Sequence, residues 1–445
     1  MKKGKRASVC FAVCCLLLCA ALSLGMLIFG PAGAGANERL AQKPKLSLKG
    51  KPNWNYLSQL ADWVGDHFWL RQELITGRNG LAELTGSSAV EEVILGREGW
   101  LYYAPTLGDY TGASALSREE LASAAANLGL IAEYCRDRGV AFLFVPVPNK
   151  NSLYPEHMPE YTPAGERDLS RLLALLTEEG VPCADLTPLF AAQEETLYYA
   201  HDSHWTVHGA ALAADGINAA LGRESRYFRG DFSGMQRHDG DLYEMLYPAA
   251  RDPETGPIYG GTLRYTREGS DTRPDSITIR TVGEGSGSLL AYRDSFGNDL
   301  YPFLADSFAA ACFSRSTVYD LTAAEKLGAD TVVVELVERN LRYLLTYVPK
   351  MPAPLRSLSG EEAAGGTVDL TRSKGDGPEG CAGYSGVLED AAGRVYLQCA
   401  GGCYETFRQT DGGFSAWLPE GEIPERVLYC LGDSLLSVRV GTITE

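Results

Sequence analysis

Histidine is scarce in this chain, with six residues among 445. Scarcity makes position informative, and three of the six, His201, His204 and His208, fall inside the single stretch Tyr198–Gly209. The pattern His-Glu-x-x-His is missing, which removes the metalloprotease arrangement of two zinc ligands and a base on one helix face. Basic residues are outnumbered: 40 Lys and Arg stand against 57 Asp and Glu, a formal net charge of −17. An acidic surface repels phosphate backbones, so no nucleic-acid partner is expected. The chain has no long internal repeat and no low-complexity tract. What remains is an ordinary globular composition, 45% hydrophobic, long enough for two or three domains with a sizeable core.

The N-terminus carries the clearest physical signal. Lys2, Lys3, Lys5 and Arg6 precede an uncharged apolar run from Ala7 to about Gly30. A helix of roughly 20 apolar residues crosses a bilayer core of about 30 Å. The basic flank stays cytoplasmic and the rest of the chain lies outside. Pro31 to Ala36 resembles a signal-peptidase site, but the run is longer than a cleaved signal needs, which favours an uncleaved signal anchor over a secreted protein. Four of the eleven cysteines (Cys10, Cys14, Cys15, Cys19) sit in that run and act as small hydrophobes. Cys135, Cys183 and Cys312 are scattered. Cys381, Cys399, Cys403 and Cys430 cluster near the C-terminus and could form one or two disulfides or stay free; only Cys399 and Cys403 have spacing close enough for zinc.

Four segments are expected. Residues 1–36 form the basic tip and the signal anchor or signal peptide. Residues 37–90 are a linker and an amphipathic helix, Trp54 to Ile75, with apolar residues three and four apart. Residues 91–350 form an α/β block. It opens with a hairpin over Val93–Tyr103, and Ser117 with Glu120 makes a capping box for a helix running to Arg138. Strands are expected at 140–147, 181–186, 288–292, 309–313 and 331–336, with helices at 164–179, 207–221 and 296–304. Alternation of this kind implies a parallel sheet flanked by helices on both faces. Pro349 to Pro354 reads as a rigid linker. Residues 355–445 show short β-rich runs broken by Gly, Asp and Pro, a small antiparallel β domain.

Two segments could carry chemistry. In Tyr198–Gly209, Asp202 and His204 precede a helix, so the carboxylate can curl back onto imidazole Nδ1 and leave Nε2 as a base. In Ser288–Asn298, an apolar strand ends at Arg293-Asp294-Ser295 and a helix follows. A serine there sits at a helix N-terminus whose N–H groups face any oxyanion formed on an attached acyl group. A hydroxyl needs a nearby base to become a nucleophile, and His204 is the best supported. Blander readings exist for each: Asp-x-His as an N-cap with a surface histidine, Ser295 as an N-cap, or His201, His204 and His208 as zinc ligands.

Asp202-Ser203-His204-Trp205 with Asp294-Ser295-Phe296-Gly297 downstream resembles the DHHW family, with Ser203 in place of the motif's second His. That family is similar to the periplasmic alginate O-acetyltransferases, SGNH hydrolases whose Asp-x-His block precedes the serine. Asp66 to Arg71, Leu95 to Tyr102, Val147 to Lys150 with Tyr154-Pro155, Gly240-Asp241-Leu242 and Glu338-Arg339 extend the likeness over about residues 54 to 350. The resemblance implies an SGNH-hydrolase-like fold and a triad of Ser295, His204 and Asp202 that takes an acyl group, an acetyl, and passes it to a glycan hydroxyl. It implies that Tyr301 lines the acceptor site, with Asn149, Lys150, Arg339 and Trp205 as further substrate-binding candidates. It implies a polysaccharide acceptor, an acetyl donor supplied by a membrane-bound O-acyltransferase, and no metal or other cofactor. A carbohydrate acetylesterase of the same fold, or a catalytically idle glycan-binding scaffold, are the competing functions.

Overall fold

The computed structural model describes residues 2–35, 38–88, 90–388, 393–432 and 434–445. Lys2–Phe29 is one helix. Its segment Ser8–Phe29, 22 residues, is long and apolar enough to cross a membrane, reaching about 33 Å at the usual helical rise. Ala36, the end of the small-residue stretch, lies outside the described residues. The amphipathic segment is two helices, Tyr56–His67 and Arg71–Glu83. They part at Leu70, whose φ of 62° is left-handed and cannot continue a helix. Val93–Leu95 pairs with Leu101–Tyr103 in the expected hairpin.

The α/β block is built on a six-stranded sheet. Its order is Ala141–Val147, Thr331–Val337, Ser288–Tyr292, Ala310–Ser314, Thr278–Gly283 and Tyr265–Arg267. The first four strands are parallel, and the last two add antiparallel at one edge. Thr278–Gly283 alternates exposed and buried residues and Tyr265–Arg267 exposed and half-buried ones, a weaker signal than a continuous apolar run. The 181–186 segment is no strand: it makes a single bridge, Cys183 to Phe144, and Pro182 has no N–H to extend it. Side chains alternate between faces along each strand. Val332 and Val334 therefore enter one core with Leu121, Leu128 and Leu172, while Val333 enters the opposite core with Ala210, Ile217, Leu300 and Phe303. The helices behind these cores are Arg118–Arg136, Asp168–Glu178, Val207–Ala220 and Gly297–Ser307. Ser117 and Glu120 cap the first of them reciprocally.

The C-terminal part is a nine-stranded sheet, antiparallel except where Glu362–Ser373 runs parallel to Ser434–Thr444. Pro349 to Pro354 is not a free spacer. Met351 is 1% exposed, and the segment is hydrogen-bonded on both sides, Lys350 N–H to Tyr319 O at 2.8 Å and Ala353 N–H to Trp417 O at 2.8 Å. All eleven cysteines are free thiols.

Candidate active site

Ser288–Tyr292 is an interior strand, so its C-terminal end opens onto the middle of one sheet edge. There the chain turns through Arg293, Asp294 and Ser295 into the Gly297–Ser307 helix. Asp294 holds the turn. Its Oδ1 accepts the Phe296 N–H at 2.9 Å and its Oδ2 accepts the Val337 N–H at 2.8 Å, tying the serine to the neighbouring strand. Asp294 N–H donates to Glu335 Oε2 at 3.0 Å. Glu335 is 2% exposed, and burial with the Asp294 charge beside it pushes its carboxyl well above the usual range. A Cβ at Gly297 would lie 2.4 Å from Arg293 Cδ, so the helix start packs on the arginine stem only as glycine. A cavity of about 220 Å³ opens beside Ser295, lined by Asp294, Arg315, Tyr319, Asn340 and Tyr343.

His204 arrives from the loop before the Val207–Ala220 helix, which Thr206 caps by accepting the Gly209 N–H at 3.1 Å. His204 Nε2 lies 2.8 Å from Ser295 Oγ, and Nδ1 lies 2.7 Å from Asp202 Oδ1. The Asp202 carboxylate accepts four hydrogen bonds. Oδ1 also takes the His204 backbone N–H at 2.9 Å. Oδ2 takes His238 Nε2 at 2.8 Å and the Asp241 N–H at 3.1 Å. Burial opposes ionisation of Asp202, but the hydrogen bonds from His204 and His238 outweigh it and hold the carboxyl well below its usual range. Burial likewise pushes the His204 ring down, and the Asp202 hydrogen bond and charge more than reverse this, leaving it raised. Asp241 is raised, by burial and then by the Asp202 charge. It accepts the Ser203 N–H and hydroxyl, each at 2.7 Å. The arrangement can take a proton from a serine hydroxyl and keep the imidazolium oriented.

The other candidates distribute differently. Lys150 is no free substrate ligand: its three N–H groups go to the carbonyls of Leu101, Ala200 and Asp202 at 2.6, 2.7 and 2.9 Å. Burial pushes its ammonium down to about 7, opposed by Asp202, Glu254 and Asp241. It supports the triad loop from beneath. Trp205 is 0% exposed and packs edge-on against Phe296, ring centroids 5.0 Å apart; it cannot touch substrate. Tyr301 is 8% exposed and faces the core, against Phe313 and Tyr265. Asn149 is fully buried and uses its Oδ1 to accept the Arg339 N–H at 3.3 Å. Arg339 remains available: its guanidinium lies over Tyr103 and Phe296 with no hydrogen-bond partner among the described residues. The three neighbouring histidines do not share a ligand point. His201 Nδ1 contacts Asp252 O and His208 Nε2 contacts Phe228 O. Asp202, His204 and Asp241 bring ligand-type atoms within 4.8 Å of one another, and here those groups are hydrogen-bonded to one another and to Ser203 and His238.

Sequence reasoning missed His238. Asp241 was visible only as part of Gly240-Asp241-Leu242. The physical signal is Gly240, where a Cβ would lie 2.2 Å from His201 O: the backbone crosses the triad loop at a distance only glycine permits.

Residues 93–274 match the family described as SGNH hydrolase-like domain, acetyltransferase AlgX. Over this stretch the fold is SGNH hydrolase-like. The matched stretch carries Asp202, His204, His238 and Asp241, and it ends before Ser295. The chain is similar to the probable alginate O-acetylase AlgJ of Pseudomonas syringae pv. tomato, 30% identical over 221 residues, 46% of this chain and 51% of that protein. It is also similar to the probable alginate O-acetylase AlgJ of Pseudomonas aeruginosa, 25% identical over 253 residues, 54% of this chain and 60% of that protein. The chain thus spans about half the length of these curated relatives. Among solved structures, PatB1 of Bacillus cereus aligns at TM-score 0.44 and 16% identity, over 56% of this chain and 96% of that one. A DHHW family protein from Eubacterium siraeum aligns at TM-score 0.42 and 17% identity, over 58% of this chain and 99% of that one. By sequence, the region is similar to proteins named as an acetyltransferase and as probable alginate O-acetylases.

Proposed function

We propose that this protein is an extracytoplasmic serine-dependent O-acetyltransferase that modifies a cell-surface or cell-wall polysaccharide through an acyl-enzyme at Ser295. The observation that carries the reading is the chain of contacts Ser295 Oγ to His204 Nε2, 2.8 Å, and His204 Nδ1 to Asp202 Oδ1, 2.7 Å. The relatives' names supply the acetyl group and the polysaccharide class. The apolar N-terminal helix fits an anchor that keeps the site outside and beside a membrane-bound acetyl donor.

Ser295 Oγ attacks the donor's acyl carbonyl while His204 Nε2 takes its proton. The Ser295 N–H, which meets no acceptor among the described residues, is placed to bind the oxyanion, and one such donor is typically worth about 10²–10³ in rate. Arg339, over the ring of Phe296 next to the serine, is a further candidate for the same charge. His204 returns the proton to the departing group, leaving an acetyl ester on Ser295. An acceptor hydroxyl then gives its proton to His204, attacks the ester, and leaves as the acetylated sugar with Ser295 restored.

Ser295→Ala is expected to reduce release of p-nitrophenol from p-nitrophenyl acetate to background, and turnover at the wild-type rate would remove Ser295 from the mechanism. Incubation with an acetyl donor and oligosaccharides is expected to yield acetylated sugar. Free acetate as the sole product would replace the transferase with an esterase.

A further inference from the structure

Two imidazoles converge on one carboxylate. His204 uses Asp202 Oδ1, and His238 Nε2 lies 2.8 Å from Oδ2. His238 ends the Gly234–His238 strand, which pairs with Glu254–Ile258 and sets His238 opposite Glu254. Both partners grip the loop that carries Asp202 and His204. The His238 ring stacks on Tyr199 with centroids 3.8 Å apart and planes 6° from parallel. Glu254 accepts the N–H groups of Ala200 and His201, each at 2.7 Å. The hairpin therefore clamps the backbone before Asp202 and the second oxygen of its side chain together.

Holding Oδ2 matters for Oδ1. A carboxylate turns about its Cβ–Cγ bond, and fixing one oxygen aims the other at His204 Nδ1. Beyond geometry, the carboxylate carries one negative charge, and a cation on Oδ2 draws on it at the expense of an imidazolium on Oδ1. Resting on the proposed acyl transfer, we propose that His238 is a positioning residue. It fixes Asp202 through the second oxygen and, when protonated, competes with His204 for the carboxylate's charge. The groups facing His238 are the acids Asp202, Asp299 of the Gly297–Ser307 helix and Glu254, with the neutral Tyr199 on its flat side. Burial disfavours the His238 cation, but these acids, Asp202 foremost, outweigh it, so its proton persists above the ordinary imidazole range.

The test uses the full chain with His238→Ala, His238→Gln and Ser295→Ala. His238→Ala removes the donor and is expected to lower kcat about tenfold with little change in KM, well short of the roughly 10⁴-fold loss when an orienting aspartate is itself neutralised. His238→Gln restores an N–H to Oδ2 but no charge. It is expected to recover most of that loss, and to move both the acid limb of kcat/KM and the NMR titration of the His204 ring to higher pH. A purely structural histidine would leave both midpoints where they are in the wild type. Wild-type kcat in a normally melting His238→Ala protein, or an unmoved His204 titration in His238→Gln, overturns the proposal. Turnover that survives Ser295→Ala instead overturns the acyl-enzyme reading, and the His204 titration, which needs no turnover, still decides the role of His238.

Discussion

Asp202 shows how much of the proposed chemistry depends on one side chain with all its lone pairs occupied. Asp202→Asn replaces an acceptor by a donor at Nδ1 or at His238. Its expected effect is a kcat lower by roughly 10⁴-fold with the fold intact. The sign of the pH effect follows from the raised His204 ring. Base catalysis is lost as pH falls through that value, and removing the carboxylate charge moves the His204 titration, and the acid limb of residual activity, to lower pH. Glu335 is a second buried carboxyl with a different fate. Its folded-state affinity for a proton exceeds that of the unfolded chain, so native stability falls as pH rises through the carboxyl range. Glu335→Gln keeps an acceptor for the Asp294 N–H and abolishes that loss. Urea unfolding is expected to show the variant gaining on the wild type as pH rises above the ordinary carboxyl range. Glu335→Leu strands the same N–H and is expected to cost about 1–3 kcal/mol.

At the scale of elements, the site is made by three loops, two of which approach closer than a side chain allows. Gly240 lets the turn before Asp241 lie on His201 O, and Asp241 then holds Ser203 and caps Asp202. Gly240→Ala forces these apart and is expected to destabilise by about 1–3 kcal/mol, with a fall in kcat larger than the fall in melting temperature would explain. Far from the site, Ser117→Ala removes only a helix cap. It should cost about 1 kcal/mol in denaturant titrations while leaving ester turnover unchanged at 25 °C.

At the scale of the whole molecule, the C-terminal sheet is joined to the α/β block by shared core and shared polar groups. Phe407, 1% exposed, belongs to the core beneath the Arg118–Arg136 helix. Asn127 from that helix donates to Leu344 O and Arg408 O, at 2.9 and 2.8 Å, and accepts the Arg408 N–H at 2.9 Å. Glu405, 2% exposed, joins Arg356 and Arg394, which reach Glu133 and Glu179 on the helices of the block. Asn127→Ala leaves three backbone groups without that partner and is expected to cost about 1–3 kcal/mol in urea unfolding. The two parts are expected to melt in one transition, since the segment between them is docked on both sides.

Local chemistry was readable along the chain. An uncharged run specifies a membrane-length helix, Ser117 and Glu120 a cap, Gly99 a hairpin turn, and unbroken apolar runs the parallel interior strands, because each depends on neighbours in sequence. The Asp202-x-His204 pairing was readable for the same reason. Long-range decisions were not. Edge strands at 265–267 and 278–283 lack the continuous apolar run of the interior strands, and Pro182 decides against a strand that composition favoured. Lys150 and Trp205 have residue types suited to substrate, yet packing encloses both. His238 reaches Asp202 only because a hairpin folds across the triad loop, a contact no spacing encodes. Sequence alone determined which side chains can do acid–base and nucleophilic work; only the tertiary structure decided which meet, since burial and hydrogen-bond partners are set by chain segments far apart in number.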